Sequence, residues 1–193
     1  LLYYPTALVY FFVAFSFYVH WAAPKGGLKA FWRNIPSTAL TALATGSSVA
    51  TIPVNLEAAK RIGVNDEVRD VVIPVGATIH MEGSCLAAIV KIAFLFGLFQ
   101  MPFTGWDVWL TAVGIAVLSG TVISGIPAGG MIGELLIVTL YGFPMAALPL
   151  ITMIGTLVDP PATMLNAVGD NVTCMMVSRT MNGREWLLRS PRI

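Results

Sequence analysis

Long apolar stretches separated by short polar ones run through the whole chain, and four of them are interrupted near their middles by residues that a membrane helix normally avoids. The interruptions fall at residues 45–48 (Thr-Gly-Ser-Ser), 80–84 (His-Met-Glu-Gly-Ser), 124–130 (Ser-Gly-Ile-Pro-Ala-Gly-Gly) and 159–163 (Asp-Pro-Pro-Ala-Thr). Residues 1–23 are aromatic and aliphatic with only His20 ionisable, long enough at about 1.5 Å per residue to cross a ~30 Å hydrocarbon core. Residues 39–54 are too short to span twice and predict a hairpin that dips in and returns to the same side. Residues 71–99 predict a full span broken at 80–84, residues 108–141 a second hairpin with a Gly/Pro-rich tip, and residues 143–177 a last span broken at 159–161. Irregular backbone at membrane depth survives only where protein, ion, ligand or trapped water supplies the missing hydrogen bonds, so four such places point to a transported solute.

Composition agrees with the pattern. Of the 193 residues, 56% are hydrophobic and 11% charged, against roughly 25% charged in soluble domains, and the mean hydropathy is +0.79. The predicted class is an all-α integral membrane protein. The chain starts at Leu1 inside an apolar run, which reads as a fragment lacking its N-terminal part. Cys85 and Cys174 both lie in apolar runs and read as small buried residues rather than a disulfide. Lys25, Lys29, Arg33, Lys60, Arg61 and Arg69 surround the first hairpin and Arg179, Arg184, Arg189 and Arg192 close the chain, so the positive-inside rule predicts both to be cytoplasmic. The second hairpin then enters from the opposite face. Hairpin plus broken span, repeated upside down, is an inverted-topology repeat, which places a binding site near the midplane. The predicted units are a membrane helix (1–23), two hairpin-plus-broken-helix units (24–99 and 100–181) and a cytoplasmic tail (182–193).

Helix ends brought to the membrane centre carry partial charges. Ser47, Ser48 and the N–H groups near Gly125 and Ile126 can hold a carboxylate, and freed carbonyls near Gly76, Thr78 and Asn166 can hold a cation; close packing of small residues is the plainer alternative. Asp159, Thr163 and Asn166 share one helix face, with Asp170 a turn further on. Asp159 can pair with an ammonium and Asp170 with a metal cation, or either can be structural. His80 and Glu82 can relay protons, can bind a cation together, or His80 can simply bond to backbone. Lys91 falls on the other face from Glu82 and calls for a different carboxylate or a snorkelled position. Glu134 receives no role.

At these residues the chain resembles the dicarboxylate/amino acid:cation symporter family, which includes glutamate transporters, neutral amino acid exchangers and archaeal aspartate transporters. TGSSVATIPVNLEAAKRIGV resembles the family's serine-rich first hairpin, and IPVGATIHMEGS its PLGATINMDGT segment. SGIPAGG is similar to its second hairpin tip, and DPPATMLNAVGDNVT to its DxxRTxxNVxGD segment. The likeness covers nearly the whole chain, with residues 1–23 as the sixth helix. It implies that Asp159 binds the substrate amino group with Thr163 and Asn166, that Ser48 and Ile126 contribute from the hairpin tips, and that Ser84 stands for a Thr. It implies sodium sites drawn from Gly76, Thr78, His80, Glu82, Asn166 and Asp170, alternating access in a multi-pass protein of the cell (plasma or inner) membrane, and a homotrimer formed through N-terminal helices. No organic cofactor and no nucleic acid partner is expected.

Three departures from the family pattern change the picture. Ala162 replaces the Arg that grips an acidic side chain, which favours a neutral substrate over a dicarboxylate. His80 and Glu82 replace Asn and Asp, which brings protons into play beside sodium. Pro160 and Pro161 remove two N–H donors next to Asp159. A proton-coupled carboxylate or amino acid carrier is the alternative within this class. An intramembrane hydrolase with Ser47 or Ser48 and His80, and a non-transporting receptor, are the alternatives outside it.

Overall fold

The computed structural model describes residues 2–123 and 129–189, and every regular element among them is helical. The first apolar run is one rod over Tyr3–Ala22, composed of α1 (Tyr3–Val9), a widened π-helical turn (Tyr10–Ala14) and α2 (Phe15–Ala22). It stops where Ala23 turns extended ahead of Pro24, as a residue before proline prefers. Leu8, Val9, Phe12, Val13 and Phe17 stay exposed along this rod, as suits a surface toward lipid. The short α3 (Gly27–Asn34) leads into α4 (Pro36–Thr45), which has proline in its first turn where no N–H is needed.

The first hairpin turns where the sequence places it. Gly46 takes φ 59°, a left-handed conformation that ends α4, and the Ser47 side chain accepts from Ala50 N–H to start α5 (Ser48–Ile62). Asn65 caps α6 (Asp66–Ile79) in the same way, with Asp66 and Glu67 in its positive first turn. The chain then breaks at His80 and Met81 and resumes as α7 (Glu82–Leu98). The break is shorter than expected, because Glu82, Gly83 and Ser84 form the first turn of α7 rather than part of the gap. α8 (Trp106–Ile123) and α9 (Gly129–Leu140) are the arms of the second hairpin; residues 124–128, most of its expected tip, lie outside the described residues. A 3-10 turn (Met145–Ala147), α10 (Leu148–Asn182) and α11 (Trp186–Arg189) complete the chain.

One expectation fails here. The last span was read as broken at 159–161, but α10 is continuous for 35 residues through Pro160 and Pro161. The physical reason lies on another element. Pro161 has no N–H for the carbonyl one turn earlier, that of Leu157, and the Tyr4 hydroxyl donates to this oxygen at 2.7 Å. Of the two acceptors that the adjacent prolines free, the Leu157 carbonyl is thus satisfied from α1.

α10 is the axis of the fold and packs against α1, α2, α4, α5, α6, α7 and α9. One apolar core joins it to α1 through α6, and a second, built on Ile92, Leu95, Phe96, Ile137 and Ile151, joins α7, α8 and α9 to its beginning. Helices α7 and α10 meet almost backbone to backbone: a Cβ at Gly83 would stand 2.9 Å from Cα of Ala162. Gly83→Ala is therefore expected to destabilise the protein by about 1–3 kcal/mol, because the obstructing atoms are backbone. Thermal unfolding in detergent reads this, and an unchanged midpoint would contradict the close approach.

Candidate functional site

The break between α6 and α7 leaves the first N–H groups of α7 without helical partners. Asn166 on α10 supplies them: its Oδ1 accepts from Gly83 N–H at 2.7 Å and from Ser84 N–H at 3.4 Å. Its Nδ2 donates to Ser84 Oγ at 3.0 Å and faces Met81 Sδ at 3.3 Å. From the opposite side the Tyr3 hydroxyl donates to the Gly83 carbonyl at 3.0 Å. Asn166 and Ser84, both expected at a substrate site, thus meet each other.

Beside this cap lies a line of ionisable groups. His80 Nδ1 is 3.2 Å from Asp170 Oδ1, its Nε2 is 3.7 Å from Glu82 Oε2, and the Tyr10 hydroxyl donates to the same Glu82 oxygen at 2.6 Å. An ionised Asp170 can only accept, and in that state Nδ1 carries the proton toward it. The other oxygens, Glu82 Oε1 and Asp170 Oδ2, are buried and have no hydrogen-bond partner among the described residues. Asp170 is fully buried against the backbone of α6 at Gly76, where any side chain would collide with its carboxylate. Gly76, His80, Glu82 and Asp170, all expected at sodium sites, thus lie together. Thr78 is not part of that line; its hydroxyl turns back to the Val75 carbonyl of its own helix. Among the described residues no group of three or more His, Cys, Asp or Glu is disposed to hold a metal ion, so a cation here would need backbone carbonyls as well.

The second cluster forms at the first hairpin tip. A Cβ on Gly46 would lie 3.5 Å from Asp159 Oδ2, so the tip reaches this carboxylate, with Ser48 nearly buried at the start of α5. Thr163 is buried one turn beyond Asp159, and Ala162 is 2% exposed against Gly83. Ile126 lies outside the described residues. His80 is engaged by two carboxylates and Ser47 by the α5 cap, an arrangement unlike a nucleophile–base pair.

Sequence reasoning passed over several of these groups. Tyr3 and Tyr10, seven residues apart and so on one helix face, were hidden in a run read as plain span; that spacing was the available signal. Asn55 donates to the Ala167 carbonyl at 2.7 Å and accepts from Asn171, tying the first hairpin to α10. Lys91 does find another carboxylate, Glu134, at 2.6 Å, and Thr152 donates to the second Glu134 oxygen at 2.6 Å.

Comparison with known proteins gives this geometry a class, that of cation-coupled membrane carriers. The family model described as Sodium:dicarboxylate symporter family matches residues 1–180. The chain is 32% identical over 143 residues to excitatory amino acid transporter 2 of Homo sapiens, covering 74% of this chain and 25% of that protein. It is 31% identical over 147 residues to neutral amino acid transporter B(0) of Homo sapiens, covering 76% and 27%, and 32% identical over 153 residues to an excitatory amino acid transporter of Caenorhabditis elegans, covering 79% and 30%. The chain belongs to the sodium:dicarboxylate symporter family, a family of membrane transporters and not of enzymes. It spans about a quarter to a third of the length of these relatives.

Asn166→Ala is expected to cost about 1–2 kcal/mol of stability, the scale of a lost helix cap, since it strands the Gly83 N–H at membrane depth. Unfolding of the purified protein measures it. Asn166→Asp, which keeps the acceptor, should recover part of the loss.

Proposed function

We propose that the protein carrying this chain is a secondary active symporter that moves an amino acid, a neutral one by preference, together with sodium by alternating access. The observation that carries the reading is the pair of buried carboxylate oxygens without partners, Glu82 Oε1 and Asp170 Oδ2, in the interior of a membrane carrier. An ionised carboxylate there is costly unless a cation meets it, and a cation that meets it only transiently is a coupling ion. Sodium, as cargo, would take these oxygens together with carbonyls freed where α6 ends.

For the amino acid, Asp159 at the first hairpin tip is the acceptor for its ammonium, and the donors at the tip around Ser47 and Ser48 receive its carboxylate. Thr163 of α10 and Ser84 of α7 would complete the site, with Asn166 positioning Ser84 through its bond to the Ser84 hydroxyl. The names of the relatives include both excitatory and neutral amino acid transporters. Ala162 tips the choice: its methyl brings no guanidinium for a side-chain carboxylate.

A second reading rests on the line Tyr10–Glu82–His80–Asp170. His80 can hold a proton at Nε2 toward Glu82, which would make the proton the coupling ion or one of two.

Thermal shift of the purified full-length protein with L-alanine, L-serine, L-aspartate and succinate, with and without sodium, separates these readings. Sodium-dependent stabilisation by a neutral amino acid is expected, lost in Asp159→Asn and weakened at least about tenfold in sodium affinity in Asp170→Asn. Stabilisation by dicarboxylates alone would overturn the neutral preference. Indifference to sodium with uptake driven by a pH gradient would move coupling to His80 and Glu82.

A further inference from the structure

The Lys91–Glu134 pair belongs to neither cluster above, yet it lies beside one of them. Its side chains are 9% and 4% exposed and come from different elements, Lys91 from α7 and Glu134 from α9, the returning arm of the second hairpin. Thr152 of α10 holds the other Glu134 oxygen. Both charges press on α10 at Gly155: a methyl there would collide with the Glu134 carboxylate and stand 3.0 Å from Lys91 Nζ. Gly155 is one turn before Asp159 on the same face, where neighbouring Cβ positions are about 5–6 Å apart, so the ammonium lies within about 9 Å of the Asp159 Cβ. Both charges are close enough to act on the Asp159 carboxylate. Among the described residues no ion pair or hydrogen bond falls on that carboxylate.

Two carboxylates therefore share the neighbourhood of one ammonium. Lysine is a point charge on a flexible four-carbon stem, and Gly155 puts no side chain of its own beside the ammonium. The carboxylate that holds Lys91 in this structure is Glu134.

We propose that Glu134 withholds Lys91 from Asp159, so that the returning arm of the second hairpin decides whether Asp159 faces a substrate ammonium or an internal one. With α9 seated, Lys91 and Glu134 cancel each other and Asp159 is left with a single negative charge to offer. When α9 moves away it takes Glu134 with it, and Lys91 is then the nearest cation for Asp159. Lys91 would compete with the substrate ammonium and also neutralise the empty site. The functional half of this inference rests on the reading of Asp159 as the ammonium site; the charge coupling among the three residues does not.

A double-mutant cycle on the ligand-free full-length protein tests the coupling without any substrate. Asp159→Asn in the natural background removes an unpaired charge and is expected to leave the melting temperature unchanged or raise it. In the Glu134→Gln background, where Lys91 has turned to Asp159, the same change strands the ammonium and should lower the melting temperature by several degrees. In the Lys91→Met, Glu134→Gln double variant the effect of Asp159→Asn should return to that of the natural background. An equal effect of Asp159→Asn in all three backgrounds would overturn the inference and leave the pair a structural staple.

Binding adds the functional half. Glu134→Gln should weaken whichever of L-alanine, L-serine or L-aspartate stabilises the natural protein by about tenfold, the factor that ~1.4 kcal/mol of competition produces, and Lys91→Met added to it should restore the affinity. A merely structural pair would show no such rescue. If the cycle is coupled but Asp159→Asn leaves amino acid binding intact, the assignment of the substrate site falls while the coupling stands.

Discussion

Everything in this fold depends on one constraint: inside a membrane, a backbone N–H or C=O that a helix does not satisfy must be satisfied by a side chain from somewhere else. Among the described residues the chain meets that demand twice around α10. Asn166 closes the open start of α7, and Tyr4 takes the carbonyl that Pro161 frees. In each case the donor or acceptor sits on one element and the gap on another. Polar side chains in this apolar sequence are thus first a device for holding interrupted helices together.

The same accounting separates structural polar groups from chemically available ones. Asn166, Asn55, Tyr3 and Tyr4 have their capacity used within the fold. Glu82 and Asp170 keep one oxygen each unengaged, although their other oxygens are held by Tyr10 and His80. A carboxylate fixed at one oxygen and open at the other is oriented but not neutralised. In the proposed function such a group would be the one that meets a coupling cation, with its fixed hydrogen bond setting its orientation.

Much of the architecture was legible because broken apolar runs are a local signal. The hairpin tip at Gly46 and Ser47, the break after Ile79 and the need of Lys91 for a carboxylate other than Glu82 can all be read from spacing and residue type. The motif segments carried the family in the same way. What stayed hidden is what depends on partners far apart in the chain. Two adjacent prolines read as a break, yet α10 is continuous, and one of the two carbonyls they free is served by the Tyr4 hydroxyl, 153 residues away. Glu134 had no readable role because both its partners, Lys91 and Thr152, lie on other helices. Asn166 was read as a ligand, and its use as a cap depends on where α7 resumes, which spacing alone does not fix within a turn.

The proposed preference for a neutral substrate would follow from how the cations near Asp159 are already committed. A zwitterionic amino acid needs an acceptor for its ammonium and donors for its carboxylate, and in the proposed site Asp159 would serve as the first and the Ser47–Ser48 tip beside it as the second. A second carboxylate would need a further positive group in the same space. Position 162 is an alanine buried against Gly83, and the ammonium nearest Asp159 among the described residues, that of Lys91, is balanced by Glu134. An acidic side chain would enter as an unpaired anion at membrane depth, where the penalty of several kcal/mol exceeds what a few neutral hydrogen bonds return. Discrimination would thus come less from contacts that favour a neutral side chain than from the missing partner for a charged one.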